Sequence, residues 1–543
     1  MIPEPFTYDY SRSPVYGRHG MAASSQPLAT AAGLEILRRG GNAADAAVAV
    51  AAALNVTEPT STGLGGDAFA LFFDSKTQKV TALNGSGRCP SGLTIERIRA
   101  EGLGDGLPAL HPYTITVPGA CAAWCDMVER HGRLPIAEVL QPAIRLAEEG
   151  FPVAPITSWF WRRSAERLLC KTPNGSEMLI NGHGPVAGEI FRNPGLGLTM
   201  RVIAGGGKQA FYQGEIARAI SEVIQQAGGC MEPEDLAAHT STWVDPISVV
   251  YRGVTIWECP PNGQGLAALL ALNILDGYEL ASMTRLSAER LHLQIEAMRL
   301  AFADTRYYAA DPAFAPAPLE GLLSREYAGR RRAEIQPQRS NPAIRHGAPQ
   351  NNSDTVYFCV VDGDGNACSF INSNYMGFGT GIIPKGWGFT LQNRGHNFSL
   401  DPQHPNRLEP GKRPYHTIIP AMATRADGSL YAPFGVMGGF MQPQGHMQVA
   451  CALLDDGMDP QAALNQPRFC IEPDESGSVV SLEEGISPET VAALESWGHK
   501  VRLVHGVERA LFGRGQIIRR NPETGVLEGG SDPRADGCAM PLK

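Results

Sequence analysis

Thr355 is the residue of this chain best placed to act as a nucleophile. It follows the polar run Asn351-Asn352-Ser353-Asp354 and opens Val356-Tyr357-Phe358-Cys359-Val360-Val361, a β-branched and aromatic run that reads as a buried strand. A threonine hydroxyl attacks poorly without a base. Breaking the Asp354-Thr355 bond would supply one, because the freed α-amine of Thr355 has an ordinary pKa of about 7.7 to 8.0 and can take the hydroxyl proton near neutral pH. The same hydroxyl can make the cut by attacking the Asp354 carbonyl, shifting the acyl group from N to O and leaving an ester for water to hydrolyse. Nucleophile and base would then reside in one residue created by maturation.

Two further features fit acyl chemistry. Asp362-Gly363-Asp364-Gly365-Asn366 is a hairpin turn, and Ala367 to Asn374 leads back from it. A reversal centred on Asp364 sets Ser373 opposite Thr355, within reach of its hydroxyl. Farther on, Phe434-Gly435-Val436-Met437-Gly438-Gly439-Phe440-Met441-Gln442 places Gly438 and Gly439 after a hydrophobic strand, where backbone N–H groups can hold an oxyanion. Taken alone, a Gly-Gly pair more often marks a bulge or tight turn. Gly63-Leu64-Gly65-Gly66-Asp67 lacks the Lys-Ser/Thr of a phosphate loop, which argues against nucleotide binding. His396, His404, His416 and His446 have no metal-ligand spacing, and ordinary surface or hydrogen-bonding roles are expected for all but His416.

The elements that must carry these residues belong to a large globular protein. The 543 residues are 43% hydrophobic and 19% charged, enough for two ordinary domains or one large core. The net charge of -9, from 46 basic and 55 acidic side chains, gives no support to a nucleic-acid or anionic-membrane partner. No eighteen-residue apolar run occurs, the first residues carry no secretory signal pattern, and a cytoplasmic location is expected. Eleven cysteines without a Cys-x-x-Cys pair suggest neither a zinc cage nor a disulfide framework. Cys121 and Cys125 read as buried core thiols.

Ser25 is expected to cap a helix over 27–39, and Asn42 a second over 43–54, whose Ala and Val side chains suit close packing on a sheet. Strands are predicted at 68–73, 79–83 and 249–258, and helices at 120–130, 136–149 and 287–308. Arg330-Arg331-Arg332 and the Pro-, Asn- and Gln-rich segment 336–354 read as exposed and loosely structured, the latter a linker ending at Thr355.

In sequence order, Gly40-Gly41-Asn42-Ala43-Ala44-Asp45-Ala46-Ala47-Val48-Ala49, Leu64-Gly65-Gly66, Thr116-Val117-Pro118-Gly119, Pro260-Pro261, Thr355, Lys412-Arg413-Pro414 and Gly438-Gly439 resemble the γ-glutamyltransferase family of N-terminal nucleophile hydrolases nearly end to end. The resemblance implies an α+β fold, a four-layer αββα sandwich. It also implies a large chain, residues 1–354, and a small chain, residues 355–543, that stay associated as one compact unit. Thr355 aligns with the catalytic threonine, Gly438 and Gly439 with the oxyanion glycines, and Ser373 with the threonine that assists the nucleophile's amine. No cofactor or metal is implied, and homo-oligomerisation of the paired chains is left open.

Departures from the family pattern bear on substrate. The arginine that grips a glutamyl α-carboxylate falls at Ser86, with Arg88 two positions on, and the acid that binds the α-amine falls at Asn397. A serine doublet becomes His416-Thr417, and a pocket Asn becomes Tyr375. A glutamyl ammonium would lose water with no charge partner, which is costly. A small, anionic, amine-free amide suits Arg88, Arg394 and His416 better, and 373–379 with 438–446 are similar to the oxamate amidohydrolase branch. The resemblance therefore implies hydrolysis of oxamate to oxalate and ammonia. A γ-glutamyl hydrolase or transferase and an uncut, inactive binding protein are the alternatives, and the carboxylate-binding role stays open among Arg88, Arg394 and His416.

Overall fold

The strand Val356–Val361 is buried along its whole length, and its side chains alternate between two interiors. Val356, Phe358 and Val360 pack into a helical layer, whereas Tyr357, Cys359 and Val361 belong to a core between two sheets. The computed structural model describes residues 12–104, 106–341, 344, 355–474 and 477–543. Each of its two large sheets has seven strands, and every neighbouring pair in them is antiparallel. The first runs, by neighbour, Cys538–Pro541, Met21–Ser24, Val356–Val361, Ala367–Ser373, Asp67–Asp74, Lys79–Gly85 and Thr242–Val244. The second runs Val15–Gly17, Leu527–Ser531, Arg514–Arg520, Leu430–Met437, Ala421–Arg425, Val254–Glu258 and Ile247–Tyr251. Helices cover the outer face of each, giving the four-layer αββα sandwich.

The helix Ala43–Thr57 lies wholly inside, on the central strands of the first sheet. Its small side chains allow that approach. Asn42 closes a capping box, its side chain accepting from Ala44 and Asp45 while the Asp45 carboxylate accepts from the Asn42 N–H. Gly265–Leu275, Ala288–Tyr308 and Met441–Leu454 cover the second sheet, the middle one capped by Ser287. Among the described residues no helix is long and apolar enough to cross a membrane.

Several boundaries differ from the sequence expectation. Gln26, not Ser25, precedes the first helix, Pro27–Arg38, because Pro27 takes the first helical position; the Ser25 hydroxyl instead donates to Glu58. The predicted helix 136–149 is two, Ile136–Val139 and Gln141–Glu149, since Pro142 has no N–H to continue the first. The predicted strand 249–258 is a hairpin of Ile247–Tyr251 and Val254–Glu258, reversed at Arg252 and Gly253 with φ of 50° and 79°. Arg330-Arg331-Arg332 ends a helix, Arg325–Arg332, where cations favour the negative end of the dipole. Gln336–Arg339 is exposed, as expected, but Ser340 is buried and donates its N–H to the Trp497 carbonyl at 2.7 Å. Asn341 and Ile344 are the last described residues of the linker, and its remainder, with Asp354 and the expected cut, lies outside the described residues.

Candidate active site

Thr355 stands at the head of a central strand because its neighbours fix the register. Val356 pairs with Asn372 and Val361 with Ala367, and the next strand pairs Ser373 with Asp67. That ladder brings Thr355 Oγ1 and Ser373 Oγ to 3.0 Å, both fully buried. Two N–H donors orient the serine oxygen, the Tyr375 backbone at 2.8 Å and Arg394 Nη2 at 3.2 Å. Replacing Ser373 by Ala would leave those two donors without their acceptor. Turnover is expected to fall about 10-fold or more, the cost of at least one charge-assisted hydrogen bond, with Ser373→Thr restoring part of it in steady-state assays.

Arg394 lies in the 3-10 turn Arg394–Asn397 and is wholly buried. Its Nη1 donates to Thr417 Oγ1 at 2.6 Å, its guanidinium stacks 4.4 Å from the Tyr375 ring centre, and its Nε has no partner. Among the described residues no carboxylate forms an ion pair with it, and burial lowers its pKa to about 10. Tyr375, held at φ 74°, donates its hydroxyl to Asn397 Oδ1 at 2.7 Å, and burial pushes that hydroxyl up to about 12. Asn397 Nδ2 is buried without a partner.

His416 Nε2 lies 2.9 Å from Asp67 Oδ2, and its Nδ1 accepts from the Ile418 N–H at 3.4 Å. Burial first, then the Arg394 charge, pushes its pKa down to about 3, so the ring is neutral and donates through Nε2. The other Asp67 oxygen accepts from the Gly87 N–H and Gln392 Nε2. Burial takes His239 to about 3 as well. Both lie below the ordinary value near 6.5, so on acidification the unfolded chain takes up protons first. Their stability is fully present above about pH 6.5 and is lost as the pH falls toward 3. The urea midpoint is therefore expected to drop steadily between pH 7 and pH 4, and less steeply in His239→Gln.

Gly438 and Gly439 join the strand Leu430–Met437 to the helix Met441–Leu454 with φ of 134° and 59°. No side chain caps that helix; its Met441 and Gln442 N–H groups donate to the Gly438 and Gly439 carbonyls at 3.0 and 3.2 Å and Pro443 has none to give, so the first turn offers the positive end of its dipole and any donor to an anion there must come from the glycine turn itself. Gln264 Nε2 donates to the Gly439 carbonyl at 2.7 Å and to the Thr417 carbonyl at 2.6 Å. One amide thus fixes the glycine turn to the residue that holds Arg394.

The fold gathers Thr355, Ser373, Tyr375, Arg394, Asn397 and Thr417 into one hydrogen-bonded set, with His416 beside Arg394 through its neighbour Thr417 and through Asp67. Arg88 is not part of it. Half-buried, Arg88 donates Nη1 to the Thr240 carbonyl at 3.3 Å, which Arg413 Nη2 also reaches at 3.1 Å. His446, expected to be an ordinary hydrogen-bonding histidine, is buried against Glu258 at 2.7 Å. Asp67 and Gln264 had no role in the sequence reading. Their only signals were their places beside close-packed glycines: a Cβ on Gly66 would fall 2.2 Å from the Ser373 carbonyl.

A four-layer sandwich with a threonine heading a central strand, hydroxyl to hydroxyl with a serine and near an uncapped Gly-Gly helix start, defines an N-terminal nucleophile hydrolase. The chain belongs to the γ-glutamyltranspeptidase family, whose model matches residues 29–542. It is 40% identical to the glutathione hydrolase-like YwrD proenzyme of Bacillus subtilis, over 97% of this chain and 99% of that protein. It is 33% identical to the oxamate amidohydrolase proenzyme of Klebsiella pneumoniae, over 96% and 98%. The crystal structure of cephalosporin acylase from Bacillus halodurans superposes with a TM-score of 0.92 at 46% identity, covering 100% of this chain and 99% of that one. Members of the family are hydrolases made as self-processing proenzymes, and this chain is a hydrolase of that kind.

Proposed function

We propose that Thr355 cuts the Asp354-Thr355 bond and that the matured protein hydrolyses a small, anionic, amine-free amide, with oxamate as substrate. The freed α-amine takes the hydroxyl proton as Thr355 Oγ1 attacks the amide carbonyl. Backbone N–H groups of Gly438 and Gly439 hold the tetrahedral oxyanion, and the amine passes its proton to the departing ammonia. Water, activated by the same amine, then hydrolyses the oxalyl ester and releases oxalate.

The observation that carries this reading is Arg394, a buried guanidinium with an unpartnered Nε, two bonds from the nucleophile through Ser373, and no ion pair to a carboxylate among the described residues. A substrate carboxylate would supply the missing anion and acceptor. Asn397 offers an amide where a substrate ammonium would need an acid, and the stacked Tyr375 and Arg394 side chains leave a short acyl group as the better fit. Arg394, rather than Arg88 or the neutral His416, is thus the carboxylate ligand. Losing its paired charge-assisted bonds is expected to lower kcat/KM for oxamate about 10- to 150-fold in Arg394→Lys. Arg88→Lys should change it little. The reverse pattern would return the role to Arg88.

Ammonia release from oxamate, set against hydrolysis of γ-glutamyl anilides, tests the substrate directly. Turnover of the anilides alone would favour glutathione-like substrates, as the name of the B. subtilis relative describes. The likeness to cephalosporin acylase favours a second reading, cleavage of a carboxylated, amine-free acyl group from a larger amine, and an acylated β-lactam nucleus belongs in the same assay. All eleven cysteines are unpaired, which supports a reducing, cytoplasmic setting.

A further inference from the structure

A second cluster of reactive side chains lies away from Thr355, where three segments distant in sequence meet. His292 and Glu296 stand one turn apart on the helix Ala288–Tyr308, so both face the same way. His499 follows the helix Pro488–Ser496 and packs against them. His292 Nδ1 and His499 Nε2 are 2.8 Å apart, and one ligand atom from each of His292, Glu296 and His499 falls within 4.8 Å of the others. All three are buried.

We propose that His292 Nδ1, His499 Nε2 and the Glu296 carboxylate form a binding site for a divalent transition-metal ion of the zinc type. Two imidazoles and a carboxylate suit such an ion, with a fourth position left for water. The outer shell has the expected form. His292 Nε2 is 2.8 Å from the Gln336 carbonyl, so it donates there and leaves Nδ1 as a lone pair. Glu296 is steadied by Arg299 at 2.7 Å and by the Asn341 N–H at 3.1 Å. His499 Nδ1 is buried without a partner, and it can receive the proton that Nε2 gives up on ligation, so both rings stay neutral and no net proton is released. Separating the ring nitrogens by a few tenths of an ångström accommodates bonds of about 2.0 to 2.1 Å.

The location says what the ion would do. His292, Glu296 and Gln336 precede Thr355 and His499 follows it, so after cleavage the ion would join the tail of the large chain to the small one.

The test uses the full-length protein stripped with a chelator and titrated with Zn²⁺ against a chromophoric indicator, and with Co²⁺ for its visible bands. One equivalent bound, tetrahedral or five-coordinate Co²⁺ bands and a higher Tm are expected for the wild type. Affinity should fall by more than the roughly 10- to 100-fold that an outer-shell loss costs in His499→Ala and in Glu296→Gln. Absence of stoichiometric binding in the wild type would overturn the site whatever the variants do. Equal binding by a His499→Ala protein with the far-ultraviolet circular dichroism and cooperative melting of the wild type would overturn it too, and would place any metal elsewhere.

Discussion

Thr355→Ala is expected to remain one chain of 543 residues, while the wild type resolves on a denaturing gel into chains 1–354 and 355–543. Removing Oγ1 takes away the group proposed to attack both the Asp354 carbonyl and the substrate, so cleavage and turnover should fall together to background. Thr355→Ser keeps an oxygen at 3.0 Å from Ser373 in principle but loses the methyl that restrains its rotamer, and should cut and turn over more slowly. Two chains from purified, protease-free Thr355→Ala would show that another agent makes the cut. Single-chain wild type with no amidase activity would favour a binding protein.

The second large effect is expected at Gly439. Its φ of 59° is open to glycine and hostile to β-branched residues. Gly439→Val should twist the turn, moving the N–H groups proposed to hold the oxyanion while leaving Arg394 and Ser373 in place. Losing one such donor typically costs about 100- to 1000-fold in turnover. The fall should appear in kcat with KM little changed, because the oxyanion exists only past the ground state. It is to be measured on the fraction that has already matured. A comparable rise in KM instead would mean that the turn supports substrate binding through Gln264 and Thr417.

The central hairpin was legible from the sequence because two local signals agree on it. The turn chemistry of Asp362 to Asn366 sets the register, and the alternation of Val356 to Val361 fits a strand buried on both faces. Asn42 was legible as a cap for the same reason, a side chain answering its own helix, whereas Ser287, expected as the first residue of the helix 287–308, turned out to be its cap. The errors fell where one residue overrides a longer pattern. Pro27 put Gln26 rather than Ser25 before the first helix, Pro142 split an expected helix, and Arg252-Gly253 folded an expected strand into two. The functional contacts of Asp67, Gln264 and Arg88 are a different matter. Asp67 reaches His416 across 349 positions and Arg88 donates to Thr240 across 152. No local period encodes such pairings, so a motif can nominate an arginine without telling which of two points at the nucleophile.

Both large sheets interleave strands from either side of Thr355. In the first, Met21–Ser24 and Asp67–Asp74 flank the hairpin Val356–Ser373; in the second, Val15–Gly17 pairs with Leu527–Ser531, and Val254–Glu258 with Ala421–Arg425. With the cut proposed before Thr355, neither chain would hold a complete sheet, so the precursor folds as a unimolecular event that the product could not repeat. Once cut, recovery from unfolding requires two partial chains to meet, a concentration-dependent step in competition with aggregation of their open strand edges. Cleavage thus changes what keeps the enzyme alive, from an equilibrium between folded and unfolded chains to the height of the barrier against coming apart.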